Sequence, residues 1–153
     1  MGYDIYTSGS DMKQSEKFAR KYGYGYLFKP LDGTELTVEQ LVNRIDIPDN
    51  YRFEGDPRVY FRANIWGMAE VRKYFQLLLE QMPEHTKQDI GERYINFVDA
   101  ISWNEGRHVT STDICMMLQL IQYFGQDVGQ VPLVEEFIEY MEIASTLDGF
   151  HVW

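Results

Sequence analysis

The second half of the chain repeats apolar residues at helical spacing, and this pattern constrains the fold more than any other feature. Pro83 ends the first stripe, Gly106 follows the second, Ser111 or Thr112 caps the third, and Pro132 opens the fourth. The stripes predict four helices, which carry Met68, Val71, Phe75, Leu78 and Met82; Ile90, Tyr94, Phe97, Val98 and Ile101; the run from Ile114 to Phe124; and Val134, Phe137, Ile138 and Met141.

The third of these helices is apolar nearly all round. We therefore expect residues 112–124 to form the most buried helix, in the middle of the fold. Cys115 lies within this run, so we expect a buried structural thiol rather than a nucleophile. It is the only cysteine, which excludes an internal disulfide.

The first half predicts strands and two shorter helices. Residues 58–66 form the best strand there, and residues 3–7 and 24–28 are further candidates. At the other end of the chain, residues 149–153 are predicted to form an edge strand. Ser10 or Asp11 caps one helix, which ends at Gly23, and a capping-box spacing from Thr37 to Gln40 opens another. The expected fold is a single α+β domain over residues 1–153, with a small, mainly antiparallel sheet packed against about five or six helices and a mostly helical C-terminal half.

The strand at residues 58–66 predicts two different faces. Alternation assigns Val59, Phe61, Ala63 and Ile65 to the core. The other face would combine guanidinium groups, an amide and aromatic planes, which suit a planar anion such as a nucleotide. Its candidate ligand-binding residues are Arg58, Tyr60, Arg62, Asn64 and Trp66. The alternatives are an ordinary solvated sheet face and a protein interface.

Charge is distributed unevenly along the chain. The net charge is −10, and residues 76–153 carry 13 acidic and 3 basic side chains, which disfavours direct DNA binding. The last predicted helix would turn an acidic face outward, and this face predicts a protein partner with a basic surface. Its candidate partner-binding residues are Glu135, Glu136, Glu139 and Glu142. Simple solvation of these carboxylates is the alternative.

The histidines predict neither a metal site nor a bound cofactor. His85, His108 and His151 lie at least 23 residues apart, and no metal-ligand spacing occurs. His108 with Asp113 could belong to an enzyme site, although helix capping also explains the nearby hydroxyl and acidic residues.

The chain lacks the features of a secreted or membrane protein. Its start has no basic region followed by an apolar one, and its densest apolar run is too short to span a bilayer. We therefore expect a cytoplasmic protein with no membrane partner. The sequence leaves the oligomeric state open, including a homo-oligomer.

Three blocks of the sequence resemble a group of small, acidic, uncharacterised proteins of bacteria and bacteriophages. They are Met1-Gly-Tyr-Asp4, Tyr60-Phe-Arg-Ala-Asn-Ile-Trp-Gly-Met68 and Gly149-Phe-His-Val-Trp153. The group has the form MGYD, YFRxNIWGM and GGFxVW, and Asp148 stands in place of the first glycine of the last block. The resemblance implies a bacterial or phage origin and brings no activity with it.

The sequence thus predicts a non-catalytic acidic binding protein, phage-encoded or bacterial, that acts on a host protein in the host cytoplasm. Binding of a nucleotide-like ligand on the 58–66 face is the first alternative, and an enzyme of unknown reaction is the second.

Overall fold

The computed structural model describes residues 2–30, 36–37, 39–40, 46 and 53–153. Its helices are Met12–Tyr22 (α1), Ile65–Glu80 (α2), Glu84–Ser102 (α3), Ser111–Phe124 (α4) and Pro132–Ser145 (α5). Its strands are Gly2–Thr7 (β1), Lys29–Pro30 (β2), Phe53–Glu54 (β3), Tyr60–Asn64 (β4), Arg107–Val109 (β5) and Phe150–Val152 (β6). The predicted α+β class is confirmed, with a four-stranded antiparallel sheet and a mostly helical C-terminal half.

The described residues form two compact units. One comprises the described residues within 1–9 and 61–153, and the other comprises those within 10–60. The prediction of a single domain over residues 1–153 stays a prediction.

The larger unit contains the four-stranded sheet, in the order β4-β1-β6-β5. Alternate residues of every strand enter its core, among them Ile5, Phe61, Val109, Phe150 and Val152. Strand β6 pairs with β1 on one side, from Ile5–Val152 to Thr7–Phe150, and with β5 on the other. The C-terminal strand therefore lies inside the sheet. The prediction of an edge strand there was wrong, because the sequence did not predict strand β5.

Helix α5 provides the aromatic centre of this core. The Phe137 ring is fully buried and lies 5.2 Å from the ring of Phe61, 6.3 Å from Phe75 and 6.1 Å from Phe150. Pro132 occupies the first turn of α5, as predicted, because its missing N–H has no helical partner to lose there. None of the helices in the described part of the chain has the length and apolarity needed to cross a bilayer.

The smaller unit is organised around helix α1. The Asp11 side chain accepts a hydrogen bond from Gln14 N, and Gly23 ends the helix in the left-handed conformation, so both predicted boundaries are confirmed. The Ser15 hydroxyl donates to the carbonyls of Asp56, at 3.1 Å, and Arg58, at 2.7 Å. These bonds join the helix to the segment that precedes β4.

Two other predictions concern this unit. Residues 25–27 form a 3₁₀ turn, so the predicted strand over residues 24–28 was wrong, and pairing occurs next to it between β2 and β3. Thr37 and Gln40 exchange the two hydrogen bonds of a capping box, as predicted. The rest of the helix predicted after Thr37 lies outside the described residues.

Candidate functional site

The predicted strand over residues 58–66 ends early, at Asn64. The Asn64 side chain accepts a hydrogen bond from Gly67 N at 2.7 Å and caps helix α2, whose first residue is Ile65. Trp66 therefore lies on a helix, 78% exposed, and does not extend the strand face. Ile65 is 41% exposed, so its assignment to the core was wrong.

The remaining residues of that predicted face have separate local partners. Arg58 forms an ion pair with Asp56 at 2.7 Å, and its hydrogen bond is the main reason that the pKa of the Asp56 carboxyl is lowered. Tyr60 is buried, with its ring 5.3 Å from that of Tyr24. Arg62 lies 3.8 Å from Asp4. Ligand binding at this predicted face stays a prediction. However, its five residues do not form one continuous strand face, because the strand covers only Tyr60–Asn64. The five are Arg58, Tyr60, Arg62, Asn64 and Trp66.

Replacement of Asn64 by alanine tests its structural role. We expect the free energy of unfolding to fall by about 1 kcal/mol, because the N–H of Gly67 loses its acceptor. Asn64→Asp keeps an acceptor at the cap and should be close to neutral. Chemical denaturation of the three proteins measures both effects, and equal losses in the two variants would contradict the cap.

The acidic face of α5 is narrower than predicted. Glu135 and Glu142 are exposed and Glu139 is partly exposed. Glu136 is only 7% exposed, so its assignment to the outer face was wrong. It lies one turn before the buried Tyr140, on the side of α5 that enters the core.

The basic side chains of residues 76–153 are all used in ion pairs. Lys87 lies 3.6 Å from Glu84, Arg93 lies 2.7 Å from Asp113, and Arg107 contacts Asp99. This half carries ten more carboxylates than basic side chains. Their combined field attracts cationic groups to this surface.

Helix α4 is more exposed than its sequence predicted. Only Ile114, Met117 and Leu120 are buried, while Cys115 is exposed and Tyr123 is 76% exposed. The predictions of the most buried helix and of a buried thiol were therefore wrong. Apolar residues around a helix need not all be covered, because packing against α5 and the core buries a single stripe.

A shallow groove lies between α4 and α5. It encloses about 450 Å³, and its lining is apolar at Leu118, Ile121 and Ile138 and polar at three other residues. The polar lining residues are Gln119, Gln122 and Glu142. Glu142 also belongs to the acidic face of α5, so the groove and that face are continuous. Sequence reasoning missed the groove, although the two glutamines that interrupt the apolar run were a signal of exposure.

A second groove, between α2 and α3, has a different charge. It encloses about 280 Å³, and its lining includes one carboxylate, that of Asp99. Arg107 pairs with this carboxylate, and the Trp103 indole N–H donates to it at 3.2 Å. The exposed Ile95 lies in the same groove. A neutralised groove has no preference for a charged partner, unlike the α4–α5 groove.

Two histidines that are distant in sequence meet on the sheet. His108 of β5 is directly opposite His151 of β6, with ring centroids 4.6 Å apart and planes inclined by 12°. Burial, with a smaller contribution from His108, lowers the pKa of His151. Sequence reasoning missed this pair, because 43 residues separate its members and only the strand order joins them.

The suggested pairing of His108 with Asp113 is not formed. His108 Nε2 bonds the backbone oxygen of Asp148 at 2.7 Å, whereas Asp113 pairs with Arg93. The Thr110 hydroxyl accepts from Asp113 N at 3.2 Å and caps α4 one residue earlier than predicted. Helix capping therefore accounts for this cluster.

In comparisons with known proteins, no protein-family model, curated protein or solved structure matches the chain.

Proposed function

We propose that the chain is a non-catalytic binding protein that captures a basic, amphipathic helix of a protein partner in the α4–α5 groove. The observation that carries this proposal is the continuity of a partly apolar groove with an acidic helix face. Leu118, Ile121 and Ile138 supply apolar contact area, and Glu142 stands at the groove while Glu135 is exposed on the same helix. Helix-in-groove recognition uses apolar anchors at helical spacing in this way.

Electrostatics supports a basic partner over a neutral or acidic one. The three basic residues of the second half are held in ion pairs, and its 13 acidic side chains outnumber them, so approaching lysines or arginines meet a predominantly acidic surface. Such a surface accelerates the encounter and selects against acidic partners. The resemblance to phage proteins extends the proposal to a host protein in the cytoplasm as the partner.

The test uses a synthetic helical peptide with leucines on one face and lysines on the other. We expect saturable binding, and we expect the Glu135→Lys/Glu142→Lys variant to lower the association rate about tenfold and to flatten its salt dependence. Stopped-flow fluorescence with a labelled peptide at low and high salt measures both effects.

A control separates the local field from the net charge. Glu92→Lys/Glu105→Lys makes the same change in total charge at exposed residues outside the groove lining, so it should slow association much less. A peptide of identical composition with its leucines scattered should bind more weakly. Absence of binding to the amphipathic peptide, or equal effects of the two double variants, would overturn the proposal.

A further inference from the structure

The His108–His151 pair has the hydrogen bonds that orient metal ligands. A backbone carbonyl can only accept, so the 2.7 Å contact with the Asp148 oxygen places a proton on His108 Nε2. In the neutral ring the lone pair is then on Nδ1. His151 Nδ1 lies 3.0 Å from the Ser8 hydroxyl, whose oxygen can accept a hydrogen bond from it. In the tautomer that uses this acceptor, the lone pair of His151 is on Nε2.

In this arrangement each imidazole has one nitrogen hydrogen-bonded to the protein, and its other nitrogen has no hydrogen bond to any of the described residues. Histidine ligands of metals almost always have this arrangement, in which the second nitrogen donates to an oxygen and fixes the tautomer. The direct cross-strand register brings the two rings within reach of one ion. Because the rings are nearly parallel, they must tilt about their Cβ–Cγ bonds, and this torsion is soft in histidine.

We propose that His108 and His151 form a two-imidazole site for a divalent transition-metal ion, with water completing its coordination. Among the described residues no third His, Cys, Asp or Glu joins the pair, so the site proposed from them has two protein ligands. Imidazole nitrogens suit Cu²⁺, Ni²⁺ and Zn²⁺, and Cu²⁺ is expected to bind most tightly. The acidic surface of this half of the chain favours a cation over an anion.

Trp153 provides an optical signal for this site. Its ring is stacked 6.5 Å from that of His151 and is 53% exposed. A bound Cu²⁺ should therefore quench its fluorescence. The experiment is a Cu²⁺ titration of the full chain, followed by tryptophan fluorescence and calorimetry. All proteins carry Cys115→Ser, because the exposed thiol would otherwise bind or reduce the ion.

We expect one Cu²⁺ per chain in this background and loss of that binding in His108→Gln and in His151→Gln. Ser8→Ala should weaken it about tenfold, as removal of an orienting partner does. His85→Gln, on the exposed surface of α3, is the matched control and should bind normally. Circular dichroism checks that each variant is folded.

Electron paramagnetic resonance of the Cu²⁺ complex gives an independent readout, in which hyperfine coupling to two imidazole nitrogens is expected. Absence of stoichiometric binding would overturn the proposal. Binding that persists in both the His108 and the His151 variants, or that disappears in His85→Gln, would also overturn it.

Discussion

Replacing Gly149 by alanine is expected to lower the free energy of unfolding by about 2 to 4 kcal/mol. Gly149 has φ +83°, in the left-handed region that alanine avoids. An added Cβ would overlap the carbonyl oxygen of Val109 and would lie 3.0 Å from its carbonyl carbon. That atom belongs to the neighbouring strand β5, so the clash pushes backbone against backbone and no rotamer change relieves it.

Gly149 also joins α5 to the sheet. Its N–H donates to Ala144 O at 3.2 Å at the end of that helix, and its own carbonyl accepts from Ser8 N at 2.8 Å. A shift of this residue would therefore disturb the pairing of β6 with both of its neighbours. Far-UV circular dichroism during urea denaturation measures the loss.

The matched control for this variant is Gly91→Ala. Gly91 lies within α3, and an added Cβ there would meet no atom within 4 Å apart from the local backbone of its own helix. Alanine at this site should raise the free energy of unfolding by about 0.5 to 1 kcal/mol, because it favours the helix. A Gly149→Ala protein as stable as the wild type would contradict the strand arrangement described for β5 and β6.

The second large effect is expected at Phe137. Truncation to alanine should cost about 3 to 5 kcal/mol, because the side chain is fully buried and a cavity would remain among the rings around it. Phe61 and Phe150 contribute two of these rings from the sheet, and Phe75 contributes one from α2. Loss of the Phe137 ring therefore weakens the packing of α5 on both elements.

Thermal and chemical denaturation of Phe137→Ala test this expectation. Tyr123→Ala is the control, since that ring is 76% exposed and its loss should change the free energy of unfolding by less than about 0.5 kcal/mol. If the two variants lost similar stability, Phe137 would not be the centre of the core.

These core and turn residues also determine where the candidate sites lie. Phe137 holds the buried side of α5, so that Glu135 and Glu142 are exposed on the same helix. Gly149 begins the segment that carries His151 to a position opposite His108. A stable fold is thus a precondition for both proposed binding sites, and stability measurements should accompany each binding test.

Local patterns in the sequence predicted the helices well. Pro83, Pro132 and Gly23 mark ends or starts that depend only on the φ angle and hydrogen-bonding capacity of a single residue. The apolar stripes of α2 and α3 depend on a backbone period that is the same in every helix. At Asn64 the sequence contains two conflicting local signals, the strand-like alternation of residues 58–66 and a helix cap. The structure has a helix that begins at Ile65, so the cap signal was the correct one. An asparagine just before an apolar helical stripe is itself a cap signal.

The sequence by itself determined the α+β class, the helices of the C-terminal half and its acidity, because residue identity and short-range spacing set these properties. The tertiary structure alone decided that β6 lies inside the sheet, that Cys115 is exposed and that Glu136 is buried. It also brought His108 and His151 together and opened a groove between α4 and α5. These features depend on which elements pack against each other, and contacts between residues far apart in the chain leave no periodic trace in the sequence.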